Sequence, residues 1–345
     1  MKKILYLPLF VALLLSCSDE TLDGEISQQE ESQGVRIHLA LGEEAFSPVL
    51  PFFDSNPACQ PWEKEINSLT VCVYNPGNGT FFKRVFTTGE IAARRFDFVF
   101  PDAKPGDECE FYAVANMEVP AMNREELLSM KDPAISDYNA KFYKVAFEAC
   151  REEGFVMSGS TTQILSLKDG VTYVTLPLRR TVAKIAVQLQ FSEEFMAKNP
   201  GLFLLGASVG IGPGSYSSWV FPHENTHLEW ISSLWSMSMD KDGEKFQALF
   251  YAFEYDNDVV WGFKTLSFTV FGDYPDGNGQ NIYYYKTYAV TIGGSEKEQG
   301  KIQRNTYYRI QVIISGFTGS EIETDISVAP WDGLYTENII IDEDD

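Results

Sequence analysis

The chain has 345 residues, a formal net charge of -22 and a pI of about 4.5. Such an acidic surface repels phosphate backbones, so its composition argues against nucleic-acid binding. Hydrophobic residues make up 44% of the chain and aromatic residues 14%, which is enough to build sizeable cores. A chain of this length is expected to form two domains of about 150 residues each.

The N-terminus has the layout of a lipoprotein signal peptide. Lys2 and Lys3 form a positive start, and the apolar run Ile4–Leu15 follows. This run has the length of a signal-peptide core, because a transmembrane helix needs roughly 20 residues. It ends at Ser16-Cys17, a small residue followed by the cysteine that would take the lipid. We therefore predict a signal peptide over residues 1–16 and lipidation of Cys17, with ordinary cleavage beside an incidental cysteine as the alternative.

The segment after Cys17 is predicted to be a flexible tether. Residues 17–34 are polar and acidic and contain no aromatic residue. Such a segment buries too little apolar surface to offset its ordering entropy. Asp19 and Glu20 resemble the signal that sends lipoproteins of some anaerobes to the outer leaflet of the outer membrane. We therefore expect a surface-exposed protein that is lipid-anchored in the outer membrane.

The first half of the remaining chain has an almost entirely β pattern. Val35–Leu41 alternates with period two, which predicts a half-buried strand. Ile66–Tyr74 and Thr80–Phe86 flank the turn cluster Asn75-Pro-Gly-Asn-Gly79, which predicts a hairpin. Asn123–Lys131 is predicted to be a short helix. The other strands predicted in this half are Arg95–Phe100, Cys109–Asn116, Phe155–Met157, Thr162–Leu167 and Thr172–Leu178.

The second half repeats this pattern. Thr181–Phe191 alternates well, and Ser192–Asn199 is predicted to be a helical turn with Ser192 as its N-cap. The further predicted strands are Leu202–Ile211, Gln247–Phe253, Thr265–Phe271, Ile282–Thr291, Tyr307–Ile314 and Ile326–Val328. Many short strands with few helices indicate β-sandwiches or barrels. We place the domain boundary between Leu176 and Thr181.

The cysteines leave the disulfide state open. If Cys17 is lipidated, four remain, and they allow three pairings between which the sequence does not choose. Their spacings match no zinc or CxxC motif, so we expect no metal site. An exported protein permits disulfides, although a cysteine inside an apolar strand is an ordinary buried thiol. The four cysteines are Cys59, Cys72, Cys109 and Cys150.

Catalytic patterns are missing from the sequence. The chain has three histidines and contains no HExxH, GxSxG or P-loop motif. We therefore expect no enzyme activity, no catalytic residues and no cofactor. Trp219, Trp230 and Trp235 cluster in the second half. They are interpreted as buried core, with a sugar-stacking platform as the alternative.

Several short motifs are spread over nearly the whole chain. The lipobox at Cys17 with its polar linker is the first of them. The other motifs are Phe111-Tyr-Ala-Val-Ala-Asn116, Met157-Ser-Gly159, Leu178-Arg-Arg-Thr-Val-Ala-Lys-Ile185, Phe250-Tyr-Ala-Phe-Glu254, Arg304-Asn-Thr-Tyr-Tyr-Arg-Ile310 and Val328-Ala-Pro-Trp331. In this order they together resemble the fimbrillins, the major- and minor-fimbrium pilins and lipoprotein anchor subunits of anaerobic Gram-negative bacteria.

The resemblance implies an all-β chain with two tandem transthyretin-like Greek-key β-sandwich domains, over residues 35–178 and 179–345. It also implies assembly by strand exchange, in which an Arg-specific protease removes the first strand of shaft and tip subunits. The C-terminal strand of another subunit then fills the groove by β-augmentation. The implied partners are other fimbrillin subunits, and a host or glycan ligand is a further candidate.

The arginines favour an anchor or accessory subunit over a shaft subunit. Arg36 begins the first strand, Arg84 lies inside a later strand, and the long loop over residues 47–62 contains no arginine. The first strand and the lipid are therefore predicted to be retained. The C-terminal tail has an apolar segment that suits a donor, although a frayed acidic tail is the alternative. The strand-exchange candidates are Val35, Ile37, Leu39, Leu41, Ile339, Ile340 and Ile341.

Two functions from different classes follow from the sequence. The first is a structural component of a surface pilus that supports adhesion. The second is a surface glycan-binding lipoprotein with an exposed row of aromatic side chains. Exchangeable first and last strands would favour the former, and an exposed flat row of tryptophans would favour the latter.

Overall fold

A computed structural model gives the fold of this chain for most of its length. Strands dominate the described part, and the helices are short. None of the described helices is long and apolar enough to cross a membrane. The described residues are 34–42, 61–133, 135–138, 153–166, 170–212, 214–224, 230–231, 235–242, 245–256, 266–275, 280–290, 301–316, 322–330 and 339–340.

The described residues before 181 form nine strands, two α-helices and two 3-10 turns. The strands are β1 (Gly34–Gly42), β2 (Leu69–Asn75), β3 (Thr80–Phe86), β4 (Asp97–Pro101), β5 (Glu108–Ala115), β6 (Lys131–Asp132), β7 (Met157–Ile164), β8 (Val171–Pro177) and β9 (Arg179–Arg180). The helices are α1 (Thr88–Ala92) and α2 (Arg124–Leu128), and the 3-10 turns are Pro61–Lys64 and Ile135–Tyr138.

The described residues after 181 contain one helix, α3 (Glu193–Lys198), and a second set of strands. The longer strands are β10 (Val182–Phe191), β11 (Phe203–Ile211), β15 (Trp235–Ser238), β16 (Asp240–Asp242), β17 (Lys245–Phe253), β19 (Leu266–Pro275), β20 (Asn281–Val290), β22 (Thr306–Ile314) and β23 (Ile322–Pro330). The two-residue strands are β12 (Gly214–Ser215), β13 (Ser218–Trp219), β14 (Trp230–Ile231), β18 (Tyr255–Asp256), β21 (Lys301–Ile302) and β24 (Ile339–Ile340).

The described strands of the N-terminal half, residues 34–180, form two sheets, apart from β6, which pairs with β13. One has the strand order β3-β2-β5-β7-β9 and the other has the order β4-β1-β8. Their facing side chains form one apolar cluster, in which Val71, Phe111 and Phe100 are fully buried. Burial of these alternating residues explains why the segments form strands, because period-two sequences place every second side chain in the core.

The C-terminal half, from residue 182 onward, has the same two-layer plan. Its larger sheet has the order β16-β17-β10-β22-β23-β24, and the smaller has the order β15-β11-β19-β20. Ile185, Phe268 and Ile310 lie in the apolar cluster of this half and are fully buried. β10 pairs antiparallel with β17 and parallel with β22, just as β1 pairs antiparallel with β4 and parallel with β8. The two halves therefore share a local topology.

The structure confirms the all-β class and several local predictions. β2 and β3 form the predicted hairpin, with Asn75 opposite Thr80 across the turn. Ser192 caps α3 and accepts a hydrogen bond from the backbone N–H of Phe195 at 3.2 Å. The division into domains at 35–178 and 179–345 stays a prediction.

Two local predictions differ from the structure. Phe155–Met157 and Thr162–Leu167 were expected as separate strands, but β7 runs unbroken and pairs with β5 along its length. The small polar residues between them look like a turn, yet the backbone ladder to β5 keeps them extended. Helix α1 was not predicted, although Thr87 and Glu90 form a capping box at its start.

Candidate functional site

The first strand is inserted between two other strands of the N-terminal half. β1 pairs antiparallel with β4 from Gly34 to His38, and parallel with β8 from Arg36 to Gly42. Its backbone therefore bonds to a neighbour on both sides. A strand in this position completes its sheet, and its removal would leave a groove between β4 and β8.

The inward face of β1 carries the residues predicted as strand-exchange candidates. Val35, Ile37 and Leu39 are buried, with Ile37 at 0% exposure, and Leu41 is partly buried against the same core. Alternate side chains of one strand thus occupy successive positions in the groove. Ile339 and Ile340 form β24 beside β23, whereas Ile341 and Cys17 lie outside the described residues. Their roles in strand exchange and lipidation stay predictions.

The walls of the groove are aromatic on one side and aliphatic on the other. Phe98 and Phe100 of β4 lie next to Phe82 of β3. The ring centroid of Phe82 is 5.6 Å from that of Phe98 and 5.7 Å from that of Phe100. On the other side, Val174 and Leu176 of β8 are buried against the same cluster. Without β1, this lining would be an exposed apolar groove, which is a surface that binds another strand.

The outward face of β1 is polar and open to solvent. Nδ1 of His38 lies 2.6 Å from a carboxylate oxygen of Asp97 on β4, and both side chains are about half exposed. The Tyr173 ring of β8 lies edge-on to the imidazole, with centroids 5.3 Å apart. Exposed pairs of this kind contribute about 0–1 kcal/mol, so the buried side chains hold the strand.

Cleavage at the described arginines that follow β1 would not release β1 alone. Arg84 of β3 forms an ion pair with Glu90 at 2.6 Å. Arg94 and Arg95 are exposed between α1 and β4. Cleavage there would detach β1 together with β2 and β3, and β2 is an inner strand of its sheet. This placement is compatible with the prediction that no maturation site follows directly after the first strand.

A second polar cluster, which was not predicted from the sequence, joins the two halves. Both oxygens of the Glu63 carboxylate accept from Nζ of Lys184, at 2.9 and 3.1 Å, and one also accepts from the Tyr251 hydroxyl at 2.7 Å. The Glu63 and Lys184 side chains are 0% and 2% exposed. We call these three residues the Glu63 lock. The signal available in the sequence was a lysine flanked by apolar residues inside a predicted strand.

The residues that connect the halves are also held by buried hydrogen bonds. Arg180 donates to the backbone carbonyl of Glu63 at 2.8 Å and to the side-chain oxygen of Asn305 at 3.0 Å. The Thr181 hydroxyl donates to the Asp132 carboxylate at 2.7 Å, and the Tyr138 hydroxyl donates to the same oxygen. Residues of the motifs that carried the resemblance therefore meet at the junction of the halves.

A segment of the second half docks on the first. Residues 214–221, here called the clasp, include β13, which pairs antiparallel with β6. The Ser158 hydroxyl donates to the carbonyl of Val220 at 2.5 Å. Arg304 donates to the carbonyls of Trp219 and Val220 at 2.8 and 2.9 Å, and it is also paired with the Glu254 carboxylate.

The Trp219 side chain does not form an open platform. The Trp219 ring stacks on the His223 imidazole, with centroids 4.7 Å apart, and Nζ of Lys131 lies 5.2 Å from the ring centroid. These neighbours occupy ring surface that a sugar would need. Trp230 and Trp235 lie in β14 and β15, where the structure describes the backbone and not their side chains. Across the described part of the chain, no three His, Cys, Asp or Glu residues are grouped to hold a metal ion.

The two described cysteines are free and buried. Burial raises the pKa of the Cys72 thiol to about 12 and that of Cys109 to about 11, where Asp107 also contributes. Cys72 packs in the cluster under the clasp, whereas Cys109 lies in the core on the opposite face of the sheet. Of the pairs considered from the sequence, only Cys59 with Cys150 remains open, and both lie outside the described residues.

Comparisons with known proteins agree with this architecture. Residues 56–191 match the family model of the major fimbrial subunit protein (FimA). No curated protein sequence matches the chain. A Bacteroides eggerthii protein named for cell adhesion has a similar structure, with a TM-score of 0.56 at 12% identity, covering 88% of this chain and 98% of that one. A Parabacteroides distasonis protein of the same description has a TM-score of 0.52 at 16% identity, and the match covers 90% of this chain and 96% of that one. At these identities the structural likeness concerns the fold, and it is the match over residues 56–191 that confirms the resemblance to fimbrial subunits.

Proposed function

We propose that this chain is a structural subunit of a surface fimbrium that supports adhesion, and that it acts as a lipid-held anchor or accessory subunit. The observation that carries the proposal is β1, which completes a sheet from between two other strands with its apolar face in the core. This is the geometry that strand exchange between subunits uses. The match of residues 56–191 to the major fimbrial subunit family supports the same role.

The seating of β1 supports its retention in the mature protein. Burying Val35, Ile37 and Leu39 contributes about 1.5–3 kcal/mol each as an upper estimate. Ladder hydrogen bonds on both edges add to this. Residues 43–60, which connect β1 to the next described element, contain no lysine or arginine. An Arg-specific protease therefore has no site there, and β1 keeps its groove closed to donors.

The C-terminal tail is the element we propose as the donor to a neighbouring subunit. Within the described residues, Ile339 and Ile340 pair with Ile326 and Asp325, and β24 lies at the edge of its sheet. β1, in contrast, is paired along both of its edges. A strand at the edge of a sheet opens more easily than a strand bonded on both sides. The tail is thus suited to leave, and β1 is suited to stay.

Strand membership supports two domains, with the division after β9 at Arg180, two residues later than the predicted bounds 35–178 and 179–345. β10 to β24 form sheets with one another, and β1 to β9 do the same, except for the pairing of β6 with β13. We further propose that Cys17 carries the lipid, that the other partners are fimbrial subunits, and that the chain is not an enzyme. The contacts of Trp219 give no support to glycan binding as the primary role.

The proposal is tested on surface extracts of the native host. Extracts run unboiled on a gel should show the chain in a heat-sensitive ladder with other fimbrial subunits, and the mature N-terminus should be lipidated Cys17. Truncation after Pro330, which removes the tail, should abolish the ladder but leave the chain on the surface. Truncation after Ile341 removes only the acidic end and serves as the matched control.

Three results would contradict parts of this proposal. A new N-terminus after an arginine would make the chain a shaft or tip subunit. An unchanged ladder after truncation at Pro330 would exclude the tail as the donor. A single monomeric lipidated band would exclude assembly into a fimbrium, and glycan binding would then become the leading hypothesis.

A further inference from the structure

The connection between the halves contains no flexible linker. β9 belongs to a sheet of the N-terminal half and ends at Arg180, and β10 of the C-terminal half begins at Val182. Thr181 between them is 0% exposed, and its backbone N–H donates to the carbonyl of Val156 at 3.1 Å. Domains that move independently are joined by exposed linkers with few contacts, and this connection has the opposite character.

Apolar surface from both halves is shared at the junction. Tyr138, Phe155 and Val156 of the first half form one buried cluster with Val182 and Tyr251 of the second. The rings of Phe155 and Tyr251 meet edge-to-face, with centroids 4.9 Å apart. Such burial is roughly proportional to the area removed from water, so it supplies the attraction between the halves.

The clasp completes the N-terminal half. Val220 and Phe221 pack with Tyr112 and Val114, which lie on the outer face of the five-stranded sheet. The rings of Phe221 and Tyr112 meet edge-to-face at 5.4 Å. Without the clasp this face of the sheet would expose a contiguous apolar surface. The N-terminal half therefore depends on residues from the second half for one of its faces.

The Glu63 lock fixes how the halves fit together. Separating the halves returns its charges to water, so the ion pair by itself adds little net attraction. A shifted arrangement would leave Glu63 or Lys184 buried without its partner, which is strongly unfavourable. The lock therefore selects one arrangement of the halves, and the apolar clusters hold it.

We infer that the two halves behave as one cooperative unit, which neither separates nor unfolds in parts, and that the clasp carries the coupling. In one unit, a substitution in the core of either half lowers the stability of both by the same amount. If the halves were independent, the substitution would lower only the stability of the half that contains it. This property goes beyond the proposed role in a fimbrium, and it can be measured on the purified full-length chain.

The experiment follows amide hydrogen exchange of β5 and β22 as a function of urea, since these strands report on the two halves separately. Phe268→Leu alters only the core of the C-terminal half, where Phe268 is 0% exposed. We expect the urea midpoints of β5 and β22 to coincide in the wild type and to fall together in this variant. If Phe268→Leu does not fold, Val209→Ala in the same cluster replaces it.

A second variant tests the clasp. Phe221→Asp introduces a charge between the halves. We expect β5 and β22 to have different urea midpoints in this variant. Lys198→Met is the control, because its ion pair with Glu194 is exposed and neither residue belongs to the clusters that the two halves share, so both midpoints should stay at the wild-type value. Separate midpoints in the wild type, or a β5 midpoint unmoved by Phe268→Leu, would overturn the inference. Joint midpoints in Phe221→Asp would exclude the clasp as the coupling element.

Discussion

Replacing Asn116 tests a buried side chain that forms several hydrogen bonds in the N-terminal half. Its side-chain oxygen accepts from the backbone N–H of Asn67 at 2.7 Å. Its amide donates to the carbonyls of Glu65 at 2.7 Å and Phe155 at 2.8 Å. The residue is buried and has a φ of 61°, in the left-handed region that asparagine tolerates better than most residues. One side chain thus connects the end of β5 to two other segments.

The expected losses follow from these contacts. A fourth hydrogen bond, from the backbone N–H of Ser68 at 3.4 Å, is long and weak. Each of the three shorter hydrogen bonds contributes about 1 kcal/mol net, so Asn116→Gly should lower the free energy of unfolding by about 3 kcal/mol. Asn116→Ala loses the same bonds and adds a left-handed alanine, which costs about 1 kcal/mol more. Asn78→Ala is the control, because Asn78 makes one exposed bond to the N–H of Thr80 and should cost less than about 1 kcal/mol.

Urea denaturation followed by tryptophan fluorescence measures all three variants, with the free energy taken from the midpoint and the slope. A loss below about 1 kcal/mol for Asn116→Ala would show that water replaces the bonds and that the side chain is not structural. Equal losses for the alanine and glycine variants would refute the argument from backbone conformation.

Further predictions concern close backbone packing and the buried thiols. A β-carbon on Gly159 would lie 2.2 Å from the carbonyl oxygen of Pro177. Gly159→Ala should therefore lower the free energy of unfolding by about 1–3 kcal/mol or more, as overpacking does, and a thermal melt measures the loss. Gly89→Ala in α1 meets open space and should be neutral or stabilising, and an equal loss there would contradict the packing argument. Raised pKa values keep Cys72 and Cys109 protonated at pH 8, so a thiol reagent should label them only after denaturation. Rapid labelling of either thiol in the folded chain would count against their burial.

Much of the local structure could be predicted because its causes are local. Thr80–Phe86 was predicted with the bounds that β3 has, since alternation and a turn cluster define both ends. The Ser192 cap was predicted from a small polar residue before a helical run. The inward face of β1 was likewise evident from its period of two. β7 was predicted in two pieces, because its long pairing with β5 is not encoded in its own residues.

The junction could not be predicted in the same way, because its partners are far apart in the chain. Glu63 and Lys184 are separated by 121 positions, and no local pattern connects a 3-10 turn to a strand of the other half. The motifs that contain Lys184, Tyr251 and Asn305 pointed to a family, but not to the contacts those residues make. The clasp had no recognisable pattern at all.

The sequence by itself determined most of the longer strands and the first strand with its buried face, because each depends on neighbouring residues and their period. Only the tertiary structure decided that β1 is bonded on both sides and that buried charges such as Glu63 and Lys184 find each other. It also decided that Val220 and Phe221 cover a sheet of the other half. The physical reason is that burial and charge pairing are properties of the packed chain, and they bring together residues that no local pattern relates.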